Sequence, residues 1–130
     1  ERWYGFDDGM YAAGRLAEIL STHGNSLDEA LADFPVSCNT PEILIPVPEE
    51  EKFQLMDKIV NNTDFSTGKV NTMDGIRVDF AEGWGLVRAS NTGPALTARF
   101  EAKDEATLSM IQGLFRNQLA SVAPDLDIPF

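Results

Sequence analysis

Trp84-Gly85-Leu86-Val87-Arg88-Ala89-Ser90-Asn91-Thr92-Gly93-Pro94-Ala95-Leu96-Thr97-Ala98-Arg99-Phe100-Glu101 decides the fold of this chain of 130 residues. It reads as two strands, 84–89 and 96–101, joined by a polar loop. Gly93 admits backbone angles closed to other residues and Pro94 holds the exit, so the chain can reverse there. Upstream, Ala81-Glu82-Gly83 is a short hairpin loop. Residues 69–73 with 76–80 supply the strand before it, and Asp74-Gly75 between them is a tight-turn or bulge signal. A further strand over 42–47 centres on Ile43, Leu44 and Ile45. Pro46 has no N–H to give a ladder, which marks an edge or a strand end.

Two helices complete this pattern. Pro48 suits a first helical turn, and Glu49, Glu50 and Glu51 suit the positive end of the helix dipole. Phe53, Met56, Ile59 and Val60 form the expected buried stripe of that helix, which Asn61 and Asn62 end. The last helix spans 104–122, capped by Asp104, with Leu108, Ile111, Leu114, Phe115, Leu119 and Val122 toward the core, and Pro124 forbids its continuation. Strand, helix, strands, helix is an α+β order: a four-stranded antiparallel sheet with both helices on one face.

The start of the chain differs. Residues 7–22 read as a helix opened by Asp7 or Asp8 and stopped at Gly24. Asp7 and Asp8 are better read as helix starters than as metal ligands. Ser26 and Glu29 form a capping box for a second short helix that ends before Pro35. Two short helices with so few apolar residues cannot build a core. Residues 1–36 are therefore expected to be the end of a larger α/β domain, and 37–130 a domain of their own. The chain begins without methionine, which suggests that a preceding portion has been removed.

Composition narrows the partners. Hydrophobic residues make up 43% and charged residues 24%, ordinary for a soluble globular chain. No apolar run approaches the roughly 20 residues that cross a bilayer. A net charge of −11 disfavours nucleic acid and anionic membranes as partners, and it repels anions at long range. An anion site here must be a local cluster of donors that outweighs the global field. Cys38 and His23 are the single cysteine and histidine, which excludes an internal disulfide and leaves too few ligands for a zinc site. A reducing, cytoplasmic setting fits this usage. Glu49, Glu50 and Glu51 lack the spaced ligands of a calcium loop.

Such a cluster exists in the loop between the two quoted strands. Arg88 offers a planar fork for two anion oxygens, Ser90 and Thr92 offer hydroxyls, and Asn91 an amide N–H₂. An unusual angle at Gly93 would turn successive N–H groups toward one anion. The same composition is that of an ordinary polar hairpin loop, with Arg88 paired to a surface carboxylate. Arg77 and Arg99 could add positive potential, or pair with Asp79 and Glu101. Trp84 could stack on a sugar ring, but between Gly83 and Gly85 it reads as a packing residue.

Gly83-Trp84-Gly85-Leu86-Val87-Arg88-Ala89-Ser90-Asn91-Thr92 closely resembles the phosphate-binding segment of the α-D-phosphohexomutases, most nearly their bacterial phosphomannomutase/phosphoglucomutase branch. Glu1-Arg2-Trp3-Tyr4-Gly5-Phe6-Asp7-Asp8-Gly9-Met10-Tyr11, Asp74-Gly75-Ile76-Arg77-Val78-Asp79 and Phe115-Arg116-Asn117-Gln118-Leu119 resemble that family too, so the likeness runs from end to end. The resemblance implies a four-domain enzyme, with 37–130 as a fourth domain related to the TATA-binding-protein class and 1–36 as the end of the third. It implies interconversion of hexose 6-phosphate and hexose 1-phosphate through a hexose 1,6-bisphosphate, with a phosphoserine and Mg²⁺ supplied by the three preceding domains. Arg88, Ser90, Asn91, Thr92 and Gly93 would hold the phosphate that does not react, and Pro35 and Val36 would be the hinge.

One departure is Gly93, where many relatives carry glutamate. The family's phosphoserine, metal and sugar-recognition motifs are absent from these 130 residues. No catalytic or metal residue is therefore expected here, no cofactor is expected to bind this portion, and the portion alone is expected to be inactive. The competing expectation is a free-standing interaction module that uses the sheet face to bind a protein; the helices before residue 37 argue against it.

Overall fold

In the computed structural model, which describes residues 3–24 and 26–130, the elements run α1 (Gly9–His23), α2 (Leu27–Leu31), β1 (Cys38–Asn39), β2 (Ile43–Pro46), α3 (Lys52–Asn62), β3 (Lys69–Asn71), β4 (Ile76–Phe80), β5 (Gly83–Ala89), β6 (Ala95–Ala102) and α4 (Glu105–Val122). Glu1 and Arg2, which open one of the resembling stretches, lie outside the described residues. The chain separates into two compact units, Glu1–Pro35 and Val36–Phe130.

In the first unit the local signals act as read. Asp8 Oδ1 accepts from the Tyr11 N–H at 2.9 Å, and Gly24 closes α1 at φ 68° with its N–H on the Leu20 carbonyl. Ser26 and Glu29 form the reciprocal capping box. Neither helix buries a residue. Leu16, Ile19, Leu27 and Leu31 all remain exposed, so capping and local bonds, not a core, hold these helices.

The second unit is the α+β layer expected from the sequence. All strands pair antiparallel in the order β1-β6-β5-β4-β3, and β2 also pairs with β6. The alternation along each strand sorts its side chains. Val78, Val87, Ala98 and Phe100 go to the core face, against Leu108, Ile111, Phe115 and Leu119 of α4 and Met56 and Ile59 of α3. Arg77, Leu86, Arg88, Thr97 and Arg99 alternate with them and take the other face.

Among the described residues there are six strands where four were expected. Residues 69–73 and 76–80 are not one interrupted strand: β3 and β4 form a hairpin around the Asp74-Gly75 turn, with Asn71 opposite Arg77. Cys38-Asn39, which lies where a linker merges into the domain, adds a two-residue strand on β6. Thr40 extends that edge, exchanging bonds with Phe100 through its own N–H and Oγ1.

The third helix also starts later than expected. Residues 49–51 form a turn on the Pro48 carbonyl, and the helix begins at Lys52. This phase leaves Phe53 55% exposed and buries Lys52, at 2%, in its place. The charge is tolerated because Nζ finds Glu49 and the Gly93 carbonyl, at 3.1 Å. Along α4, Leu114 is half-exposed, while the Thr107 N–H bond to Asp104 caps the helix start and holds that carboxyl below its usual range. Beyond Pro124 the chain folds back, setting the Phe130 ring 4.7 Å from Phe100.

Candidate anion-binding site

The loop from Ser90 to Pro94 closes the β5–β6 hairpin, and its shape is fixed from behind. The Ser90 N–H donates to the Ala95 carbonyl at 2.9 Å, continuing the ladder by one rung. Ser90 Oγ accepts the Thr92 N–H at 3.3 Å and stands 3.4 Å from Thr92 Oγ1, a small hydroxyl-closed turn. The Ala95 N–H reaches back to the Gly93 carbonyl at 2.9 Å across Pro94, and the Val47 N–H binds the Pro94 carbonyl at 3.1 Å. Lys52 Nζ adds the second bond to the Gly93 carbonyl. The carbonyls of the loop's exit are thus spent on the protein.

The donors are not. Among the described residues, the backbone N–H groups of Asn91 and Gly93 and the Asn91 side chain make no hydrogen bond to the protein. Arg88, Ser90, Asn91, Thr92 and Gly93 all line one cleft of about 740 Å³, with Glu42, Leu44, Pro46, Pro94, Ala95 and Thr97. All five residues singled out from the sequence are therefore brought to one hollow, at the end of the sheet where β5 turns into β6.

Gly93 differs from expectation in one respect. Its φ is not in the left-handed region, which among the described residues only Gly5, Gly24 and Gly75 use. Pro94 and the paired carbonyls turn the loop instead. A Cβ at Gly93 would meet nothing within 4 Å. Gly93→Ala should accordingly change stability by no more than about 0.5 kcal/mol in a thermal melt.

Arg88 also differs from a free arginine. Its Nη1 lies 3.1 Å from Asp74 Oδ2, so one of its five N–H groups is taken, and the side chain stays 39% exposed. Asp74 comes from the β3–β4 turn, 14 residues away, and was not foreseen as a partner. On the adjoining surface, a second cleft of about 440 Å³ is lined by Asp74, Arg77, Leu86, Arg88, Thr97 and Arg99 among others. Arg77 is committed there: Asp79 Oδ1 is 2.7 Å from its Nη2 and the Trp84 ring lies 4.1 Å below its guanidinium. Trp84 is thus a packing surface for an arginine. Among the described residues, Arg99 reaches only the Thr40 carbonyl, at 3.5 Å, and not Glu101. It is the cation the sequence reading undervalued, and its signal was the alternation that puts it on the same face as Arg88.

Among the described residues, no three His, Cys, Asp or Glu side chains are grouped to hold a metal ion. No helix there is long and apolar enough to cross a membrane. A guanidinium, two hydroxyls and unpaired amide donors thus share one cleft, a donor set that suits holding an anion.

Residues 42–118 match the family described as phosphoglucomutase/phosphomannomutase, C-terminal domain. The chain is 52% identical over its whole length to the phosphomannomutase/phosphoglucomutase of Pseudomonas putida, of which it covers 28%. It is 45% identical over 123 residues to the phosphoglucomutase of Neisseria meningitidis, covering 93% of this chain and 26% of that protein. A solved structure of a phosphoglucomutase/phosphomannomutase family protein from Burkholderia thailandensis superposes with a TM-score of 0.80 at 39% identity, over 99% of this chain and 27% of that one.

Proposed function

The chain belongs to the phosphoglucomutase/phosphomannomutase family as its C-terminal domain, and from that premise we propose that it grips the phosphate of a hexose phosphate in the β5–β6 loop cleft. Since it spans little more than a quarter of the relatives it matches, it acts as part of a longer cytoplasmic enzyme that interconverts hexose 6-phosphate and hexose 1-phosphate through a hexose 1,6-bisphosphate. The phosphoserine and the Mg²⁺ of that reaction belong to the other three domains. Residues 1–36 are the end of the third domain, 37–130 the fourth, and Pro35 and Val36 the hinge between them.

The observation that carries this reading is the free donors of Asn91 and Gly93 in a cleft shared with Arg88, Ser90 and Thr92. On a chain of net charge −11, uncommitted donors grouped around a guanidinium have one evident use. Arg88 supplies charge, the two hydroxyls and the amides supply direction. The grip is remote from bond making. It raises the rate by fixing where the sugar's reacting oxygen lies, an effect of positioning that grows with the precision of the hold. Lys52 and Val47 contribute by keeping the loop's carbonyls turned away from the anion.

Calorimetric titration tests the ligand class. Glucose 1-phosphate and glucose 6-phosphate should bind this chain weakly and similarly, while glucose should not bind. Equal binding of glucose would refute a phosphate grip.

A further inference from the structure

We infer that Asp74 is a resident anion of the phosphate site: its carboxylate occupies Arg88 when the cleft is empty and weakens the hold on phosphate when it is filled. The inference rests on the phosphate reading above and concerns how tightly that site is set.

The pairing is built by the backbone. Gly75 takes φ 82°, and a Cβ there would lie 2.3 Å from the Val87 carbonyl oxygen and 2.7 Å from Arg88 Cα and Cβ. The β3–β4 turn is therefore pressed onto the main chain of β5 at Arg88 itself, and only glycine allows that approach. The residue just before it, Asp74, is delivered to the guanidinium and reaches Nη1 at 3.1 Å. A chance surface pair needs no such glycine.

The pair is also made to be displaced. Its side chains are 39% and 66% exposed, so water and salt screen it and it has little hold of its own. Phosphate offers the same arginine more charge and more oxygens. Yet Asp74 cannot leave far, because its turn is fixed on β5, so a bound phosphate must share Arg88's surroundings with a carboxylate. Glu42 lines the same cleft and adds to that field. The site is thereby kept from holding an anion so tightly that exchange stalls.

Asp74→Asn tests this, because it keeps the shape and removes the charge. At about 0.1 M ionic strength its affinity for inorganic phosphate, from NMR titration of the 130-residue chain, should rise about three- to tenfold, and the gain should shrink as further salt is added. Glu82→Gln is the control for net charge. Glu82 precedes β5 and the loop follows it, seven residues of strand away, or roughly 20 Å, beyond a Debye length of about 8–10 Å at ordinary ionic strength. It should leave phosphate affinity unchanged. Asp74→Asn binding no tighter than the parent, or Glu82→Gln tightening as much, overturns the inference. A parent chain that binds no phosphate overturns the earlier reading as well, and so separates the two failures.

Discussion

Arg88→Ala lowers the affinity of the chain for inorganic phosphate by roughly ten- to a hundredfold, the equivalent of about 1.5–3 kcal/mol for hydrogen bonds to a charged group. Its effect on folding is far smaller. The side chain is 39% exposed and its protein partner, Asp74, is more exposed still, so losing the pair costs about 0–1 kcal/mol. The ratio of the two effects identifies the role. A residue kept for structure would show the reverse, a lowered melting temperature with phosphate titration unchanged. Arg88→Lys should recover only part of the affinity, because an ammonium keeps the charge and loses the two-pronged geometry.

Phe115→Ala has the opposite profile. Phe115 is fully buried, with ring centroids 4.5 Å from Phe65 and 5.3 Å from Phe100. It lies on the sheet where β5 has no side chain: a Cβ at Gly85 would stand 2.4 Å from its Cε2. Removing the ring opens a cavity that Gly85 cannot help to fill, so the loss falls toward the upper part of the usual range of about 3–5 kcal/mol. For a domain of this size that is a fall in melting temperature of about 15–30 °C. At temperatures where the variant remains folded, phosphate affinity should match the parent, since Phe115 is on the opposite sheet face from Arg88.

The two variants rest on the same strand, and β5 shows how much could be read beforehand. Its alternation, and that of β6, gave the hairpin and with it the loop that brings Arg88, Ser90, Asn91, Thr92 and Gly93 to one cleft. Capping signals worked where the partner was three residues away, as with Ser26 and Glu29, Asp8 and Tyr11, or Asp104 and Thr107, whereas Pro48 and Glu49 to Glu51 marked a helix start too early. Where the partner was distant, the sequence was silent. Lys52 on the Gly93 carbonyl spans 41 positions, and nothing about a lysine at a helix start announces that it is buried. Phe53, the better apolar candidate, is exposed because the helix phase is set by Met56 and Ile59 on the sheet. The two-residue β1 is too short to show alternation. Gly93 looked like the residue of the sheet domain needing a special angle, whereas Gly75 uses it there.

Asp74 illustrates the same limit within the site. Asp74-Gly75 is legible as a turn, but its contact with Arg88 depends on where the β3–β4 hairpin folds against β5, which is a property of the whole sheet. Arg99 was legible as a source of positive potential or a partner for Glu101, and its contact with the Thr40 carbonyl became apparent only with that distant edge in place.

The decisive measurement is a residue-resolved NMR titration of the parent chain with inorganic phosphate. Backbone amides of Asn91 and Gly93, the Asn91 side-chain amide and the Arg88 guanidinium should shift together along one saturable curve, with α1 and α2 unmoved. Shifts scattered over the surface without saturation, or no shift at the β5–β6 loop, would contradict a phosphate grip there.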